Sequence, residues 1–126
     1  ILNIEAYHKP RTKKFQPVQQ VDHAGLISVA QTWEGKVAPH ALQKFFQLLV
    51  TQFGEQLVRT KALLHVEGET NPWLIQGVQT WMERTKAPKS YRGFNRLVIL
   101  GRNLDANALN AAIEQLRMGS KVERQL

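Results

Sequence analysis

The chain has 126 residues, no cysteine and a formal net charge of +7 at pH 7. Its length fits one domain with its own hydrophobic core, and the lack of cysteine excludes disulfides, thiolate catalysis and zinc sites with sulfur ligands. No apolar run approaches the roughly 20 residues that span a bilayer, and no signal-peptide pattern opens the sequence, so we expect a cytoplasmic protein.

The regular patterns lie in residues 23–118, which we predict to form the domain. Residues 1–22 contain Pro10 and Pro17 and no sustained hydrophobic period, which predicts an extended arm or linker. Residues 119–126 are predicted to form a short tail. Because the sequence begins with Ile1 rather than Met, we interpret it as a domain cut from a longer protein.

A strand and a helix open the domain. Residues 23–33 have the pattern of a strand, which ends at Glu34–Lys36. The period then changes, and Pro39 fits the first turn of a helix that ends at Gly54. The apolar residues of this helix recur every three or four positions, as expected for one buried stripe: Leu42, Phe45, Phe46, Leu49 and Phe53.

Two alternating runs between Val58 and Met82, joined by a Gly/Asn/Pro connection, predict an antiparallel strand pair with one buried face. The core face of the first run is predicted to hold Val58, Thr60, Ala62, Leu64 and Val66. The opposite face is predicted to hold Arg59, Lys61, Leu63, His65 and Glu67.

A basic loop is predicted to follow, between Glu83 and Arg96, where five cations accompany a single acid: Arg84, Lys86, Lys89, Arg92 and Arg96. Such a loop is usually solvated surface, and nucleic-acid binding is the functional alternative.

The last two elements complete the fold. Leu97–Gly101 is a short continuous apolar run, typical of a central strand, and Asp105 is placed to cap a helix over Ala106–Arg117. The order βαβββα, of the split β-α-β type, predicts an α+β fold. We expect a two-layer α/β sandwich with a four-stranded mixed sheet and two helices on one face. The other face, with Arg59, Lys61 and His65, is left for solvent or a partner.

Four segments resemble, in order and spacing, the C-terminal domain of the CobW family of GTPases. They are Leu57–Lys61, Ile75–Val78, Arg96–Asp105 and the opening strand His23–Ser28. The family pattern has Gly after the lysine of its Arg-x-Lys strand, where this chain has Ala62, and a Gly-Arg-x-Leu-Asp segment before the last helix, which is present here.

The resemblance implies a non-catalytic accessory domain of a GTP-dependent metal chaperone or metal-insertion protein. The chain has no Gly-x-x-x-x-Gly-Lys-Ser/Thr phosphate loop and no Cys-x-Cys-Cys motif, so GTP hydrolysis would belong to a missing N-terminal domain. The implied partners are the GTPase domain of the same polypeptide or complex and a client metalloprotein. Zinc or cobalt and GTP are implied for a full-length member, with no cofactor bound by this domain.

Two alternatives stay open: a basic nucleic-acid-binding module, and a stand-alone descendant that self-associates through strand edges or the arm. For the interaction domain, the predicted partner-binding residues are Arg59, Lys61, Arg84, Lys86, Arg92, Arg96 and Arg102. The alternative for the strand cations is a solvated face paired with Glu67 and Glu69.

The four histidines (His8, His23, His40 and His65) lack metal-ligand spacing, so structural or surface roles are favoured. A weak zinc-transfer site at His23 and His65 is predicted only if their strands are neighbours.

The aromatic and serine residues indicate neither base stacking nor catalysis. Trp33, Trp73 and Trp81 favour core or interface positions, because the strand after Arg59 has no ring on which a base could stack. No serine has a Gly-x-Ser-x-Gly setting and no acids form a pair, so no catalytic residue is predicted.

Overall fold

A computed structural model describes residues 18–21, 25–88 and 93–120. Two helices and six strands make up this part of the chain, with a short 3-10 turn at Gly54–Gln56. The strands are β1 (Val18–Val21), β2 (Leu26–Trp33), β3 (Leu57–Leu64), β4 (Trp73–Val78), β5 (Trp81–Lys86) and β6 (Asn95–Arg102). The helices are α1 (Pro39–Phe53) and α2 (Ala106–Met118).

The sheet has the order β1-β2-β6-β3-β4-β5, and every neighbouring pair of strands is antiparallel. The predicted α+β class with two helices is therefore confirmed, whereas the predicted four-stranded mixed sheet is wrong. β2 and β3 run in the same direction, but β6 lies between them, as in a split β-α-β unit. The domain contributes five strands, and β1, from the predicted arm, adds to β2 at the edge.

The fifth strand comes from the segment Trp73–Lys86. We predicted one strand to Met82 followed by a basic loop, but the chain turns at Gln79 and Thr80, and β5 pairs back on β4. Arg84 and Lys86 thus belong to a strand rather than to a loop.

Both helices pack on the same face of the sheet. Their buried residues form one cluster with side chains from β2, β3, β4 and β6. Fully buried members of this core include Leu49 of α1, Leu97 and Ile99 of β6, and Leu109 and Ile113 of α2. No helix among the described residues is long and apolar enough to cross a membrane.

A bulge in β3 corrects the predicted strand faces. The register against β6 shifts between Leu57 and Arg59, so Leu57 joins the core while Val58 is only half-buried. The predicted core positions Ala62, Leu64 and Val66 are confirmed as members of that cluster. Because the extra residue changes the alternation, the prediction for Val58 was wrong.

The Gly-Arg-x-Leu-Asp segment forms the corner between β6 and α2. A Cβ on Gly101 would lie 2.6 Å from the backbone oxygen of Gln56, so only glycine fits there. Asn103 has φ 54° and donates its N–H to the oxygen of Gly25 at 2.9 Å, and Leu104 is buried. The predicted cap is confirmed, because Asp105 Oδ1 accepts the Ala108 N–H at 3.1 Å.

Candidate interaction surface

The sheet face opposite the helices is defined by its strand registers, because directly opposed residues of antiparallel strands share a face. Arg59 lies between Leu100 and Val78, and Val78 is opposite Trp81. In the next row Lys61 lies between Val98 and Gln76, and Gln76 is opposite Glu83. We call this side the open face, since both helices pack on the other one.

The open face brings together four of the predicted partner-binding residues: Arg59, Lys61, Arg96 and Arg102. Arg59 and Lys61 are neighbours on β3, whereas Arg96 and Arg102 lie at the two ends of the open face of β6. Arg92 lies outside the described residues.

Arg84 and Lys86 point to the opposite face, beside Trp73. The guanidinium carbon of Arg84 is 4.3 Å, and Nζ of Lys86 5.5 Å, from the centroid of the Trp73 ring. Glu69 lies 3.5 Å from Lys86 Nζ. This cluster is a set of cation–π and ionic contacts around a half-buried tryptophan, separate from the open face.

One half of the open face is largely exposed, and we call it the exposed patch: the exposed residues Arg59, Gln76, Val78, Trp81 and Glu83 with the half-buried Lys61. Trp81 is 75% exposed and Val78 54%. These residues line a depression of about 180 Å³, smaller than the about 300–1,000 Å³ of typical small-molecule pockets. Leu63 and Val98, farther along the face, are buried. The geometry therefore suits contact with a macromolecule better than enclosure of a small ligand.

The electrostatics of the exposed patch are positive. Partial burial, and then the neighbouring charge of Arg59, lower the pKa of Lys61 below its ordinary value. Glu83 is the acid of the patch, and Gln76 stands between it and Lys61 in the register. The patch therefore holds two cations and one acid, a formal net charge of +1.

The turn between β4 and β5 holds the patch in place. Gln79 has φ 54°, in the left-handed region that favours glycine, and its N–H donates to the oxygen of Val58 at 3.1 Å. A Cβ on Gly77 would collide with the Met82 sulfur. Met82 thus packs over Gly77 toward the core, and Trp81, the preceding residue, points to the open face.

His65 follows β3 at one end of the sheet. Its backbone N–H donates to Asn95 Oδ1 at 2.7 Å, and its Nε2 is buried with no hydrogen-bond partner among the described residues. Burial, and then the charge of Lys36, lower the pKa of this imidazole. His65 sits here as part of a packed strand end.

The condition for the predicted zinc pair is not met, because β6 lies between β2 and β3 and the two strands are not neighbours. His23 itself lies outside the described residues. Within residues 18–21, 25–88 and 93–120, no three His, Cys, Asp or Glu side chains gather as a metal site.

The tryptophans divide between core and surface. Trp33 is buried, and its Nε1–H donates to Ser120 Oγ at 2.8 Å. Trp73 is half-buried against the core. Sequence reasoning missed the pairing of Trp81 with Val78. The signal in the sequence was a pair of large apolar residues on either side of Gln79 and Thr80. These two polar residues make a two-residue hairpin turn.

The described residues form a two-layer α+β sandwich with both helices on one face of the sheet. In agreement with the sequence resemblance, the family model for the cobalamin synthesis protein cobW C-terminal domain matches residues 26–117. The chain therefore belongs to the CobW C-terminal domain family. No curated protein matches the sequence at a significant level.

Two solved structures share the fold. One is the Zn(II)-bound YjiA GTPase from E. coli, with 24% identity and a TM-score of 0.67. The other is a Zn(II)-bound triple mutant of YjiA GTPase, with 23% identity and the same TM-score. Each match covers 74% of this chain and 30% of the YjiA chain. This chain thus corresponds to about a third of the length of those proteins.

Proposed function

We propose that this chain is the non-catalytic C-terminal interaction domain of a CobW-like, GTP-dependent metal chaperone or metal-insertion protein. The observation that carries this proposal is the family match over residues 26–117. The likeness to 30% of a Zn(II)-bound GTPase supports it, because a separate GTPase unit would account for much of the remaining length.

In this proposal the domain docks on the GTPase domain of the same polypeptide or complex and helps it contact a client metalloprotein. The open face supports a docking role, because it leaves Trp81 and Val78 exposed beside two cations. Nucleotide exchange in the GTPase domain would shift the interface between the two domains and so change access to the client.

GTP and zinc or cobalt belong to the rest of the protein in this scheme. The sequence has no phosphate loop to cradle a nucleotide, and the described residues hold no cluster of metal ligands. The contribution of this chain is recognition, and the metal is cargo passed between the GTPase and its client.

The test is binding between this chain and the GTPase domain encoded by the same gene, measured by calorimetry with GDP and with a non-hydrolysable GTP analogue. We expect saturable binding whose affinity differs between the two nucleotides. Absence of binding in both states would overturn the proposal, as would GTP hydrolysis by this chain alone.

The nucleic-acid alternative is tested by filter binding of single-stranded RNA. Retention at about 50 mM salt with a steep loss at higher salt would favour it, because phosphate contacts release counterions. Light scattering tests the self-association alternative.

A further inference from the structure

We propose that the exposed patch binds an acidic segment of a partner protein, with a large apolar side chain seated on Trp81 and Val78 and carboxylates on Arg59 and Lys61. The inference rests on the proposed function and specifies the chemistry of its docking site.

Trp81 and Val78 supply the apolar anchor. They are opposite each other at the hairpin end, and more than half of each side chain is exposed. Tryptophan and arginine are the residue types that most often dominate binding energy at protein interfaces, and Arg59 is opposite Val78 in the register. Met118, another exposed large hydrophobic residue, lies on α2 instead.

The two cations indicate that the partner segment is negatively charged. Arg59 and Lys61 lie two residues apart on the same face of β3, so their like charges repel. Burial, and then this repulsion, lower the pKa of Lys61. An incoming carboxylate would relieve the repulsion, and the guanidinium of Arg59 can bind it through two parallel hydrogen bonds. An acidic segment is therefore complementary in charge.

The patch is held in its binding geometry before a partner arrives. The Gln79–Val58 hydrogen bond fixes the hairpin end to β3 at its bulge. Met82, packed over Gly77 on the other side, fixes the side of the sheet to which Trp81 points. The backbone of the patch therefore needs no reordering on binding, which lowers the entropic cost.

The residues of the exposed patch favour a protein partner over a nucleic acid. Sheets that bind single strands place aromatic rings where successive bases can stack. Here the neighbours of Trp81 along its row are Val78, Arg59 and Leu100, none of which is aromatic. A lone ring beside aliphatic side chains fits an apolar anchor residue.

The test is a selection from a random 12-residue peptide library on the full chain. We expect enrichment of peptides with several Asp or Glu residues around one large apolar residue. Calorimetry with the best peptide should show that Trp81→Ala and Arg59→Glu each weaken binding about tenfold or more. Two controls should leave affinity unchanged within about twofold: Met118→Ala, an exposed apolar residue elsewhere, and Arg84→Glu, the same charge change on the opposite face. Thermal unfolding checks that each variant is folded.

Three results would overturn the inference. They are no enrichment of acidic-apolar peptides, equal weakening by Arg84→Glu and Arg59→Glu, and tighter Trp81-dependent binding of single-stranded RNA than of any selected peptide. The GTPase-domain titration separates this failure from that of the proposed function. If the GTPase domain binds wild type and Trp81→Ala equally, only the patch assignment fails; if it does not bind at all, the interaction-domain proposal fails.

Discussion

Asn95 accepts the backbone N–H of His65 through its side-chain oxygen at 2.7 Å, and this bond joins the start of β6 to the end of β3. The Asn95 amide nitrogen donates to the backbone oxygens of Trp33, at 3.2 Å, and Gly35, at 2.7 Å. Beyond this point β6 no longer separates the two outer chains, which meet in a parallel bridge between Val37 and Val66. Asn95 therefore fills the end of the split β-α-β unit.

Replacing Asn95 with Ala should destabilise the protein strongly. The side chain is fully buried, and its loss leaves backbone groups of His65 and Gly35 without partners. Each buried unsatisfied group costs about 1–3 kcal/mol, so we expect a loss of about 3 kcal/mol in the free energy of unfolding. Urea denaturation measures it. Asn107→Ala, on an exposed face of α2, is the matched control and should change little. A loss as small as that of the control would contradict the assigned role.

Asn95 also shows which part of the fold local sequence patterns do not predict. Alternation and helical periodicity predicted α1, α2 and the core faces of most strands, because those patterns depend on burial of one side. The position of β6 between β2 and β3 depends on long-range pairing, which no local pattern records. Asn95 stands next to the apolar run Leu97–Gly101 in the sequence, and only the assembled sheet surrounds its amide with backbone partners.

Gly101→Ala tests the structural meaning of the Gly-Arg-x-Leu-Asp corner. The new methyl group would meet the Gln56 backbone oxygen and Leu104 Cγ, both at 2.6 Å. Because backbone and a buried leucine cannot both move away, we expect destabilisation of about 2–3 kcal/mol, the usual cost of overpacking. Gly119→Ala is the control, since its nearest contact would be 3.5 Å from Ala41 Cβ. Equal thermal midpoints for both variants would show that the corner can relax.

The stability of the protein should fall in mild acid because of His65. Burial and Lys36 lower the pKa of its imidazole in the folded state below the ordinary value of 6.5. As pH falls, the unfolded chain therefore binds the proton first, and the free energy of unfolding decreases from about pH 6.5 downward. A protonated ring would also place an N–H on Nε2, which is buried without an acceptor in the described part of the chain.

Urea unfolding at pH 7.5 and pH 5.5 checks this expectation. His65→Gln should reduce the difference in stability between the two pH values, because the titrating group is gone. His40→Gln, an exposed residue of α1, controls for removal of a histidine as such. If His65→Gln shows the same pH dependence of stability as wild type, another group causes the loss of stability in acid.

Helix α1 should gain stability from a capping side chain. Ala38 occupies its N-cap position with φ −68° and ψ 134° and provides no side-chain hydrogen bond. A serine in this conformation can accept an N–H of the first turn, so Ala38→Ser should raise the free energy of unfolding by about 1 kcal/mol. Asp105→Ala, which removes the existing cap of α2, should lower it by a similar amount. Chemical denaturation of the two variants measures both changes in the free energy of unfolding. An unchanged midpoint in Ala38→Ser would mean that the hydroxyl bonds to solvent instead of capping the helix.

The hairpin turn explains why β5 and the exposed patch were hard to predict. Short hairpin turns are usually signalled by Asn-Gly or Asp-Gly, whereas here Gln79 and Thr80 make the turn. The run from Trp73 to Met82 consequently has the alternation of one strand. The backbone accepts φ 54° at Gln79 because its N–H bonds to Val58, a contact formed only after β3 is in place.

Gln79→Gly should therefore stabilise the protein without altering the exposed patch. A non-glycine residue in the left-handed region costs about 1–2 kcal/mol, and the greater entropy of glycine in the unfolded chain offsets part of that gain, so we expect about 0.5–1 kcal/mol. Gln52→Gly, at an exposed position of α1, should instead destabilise by about 1 kcal/mol, which controls for the substitution itself. Equilibrium denaturation gives both values. Affinity for the selected acidic peptide should stay unchanged in Gln79→Gly, because Val58 still bonds the turn; weakened binding in a stabilised variant would show that the Gln79 side chain itself contacts the partner.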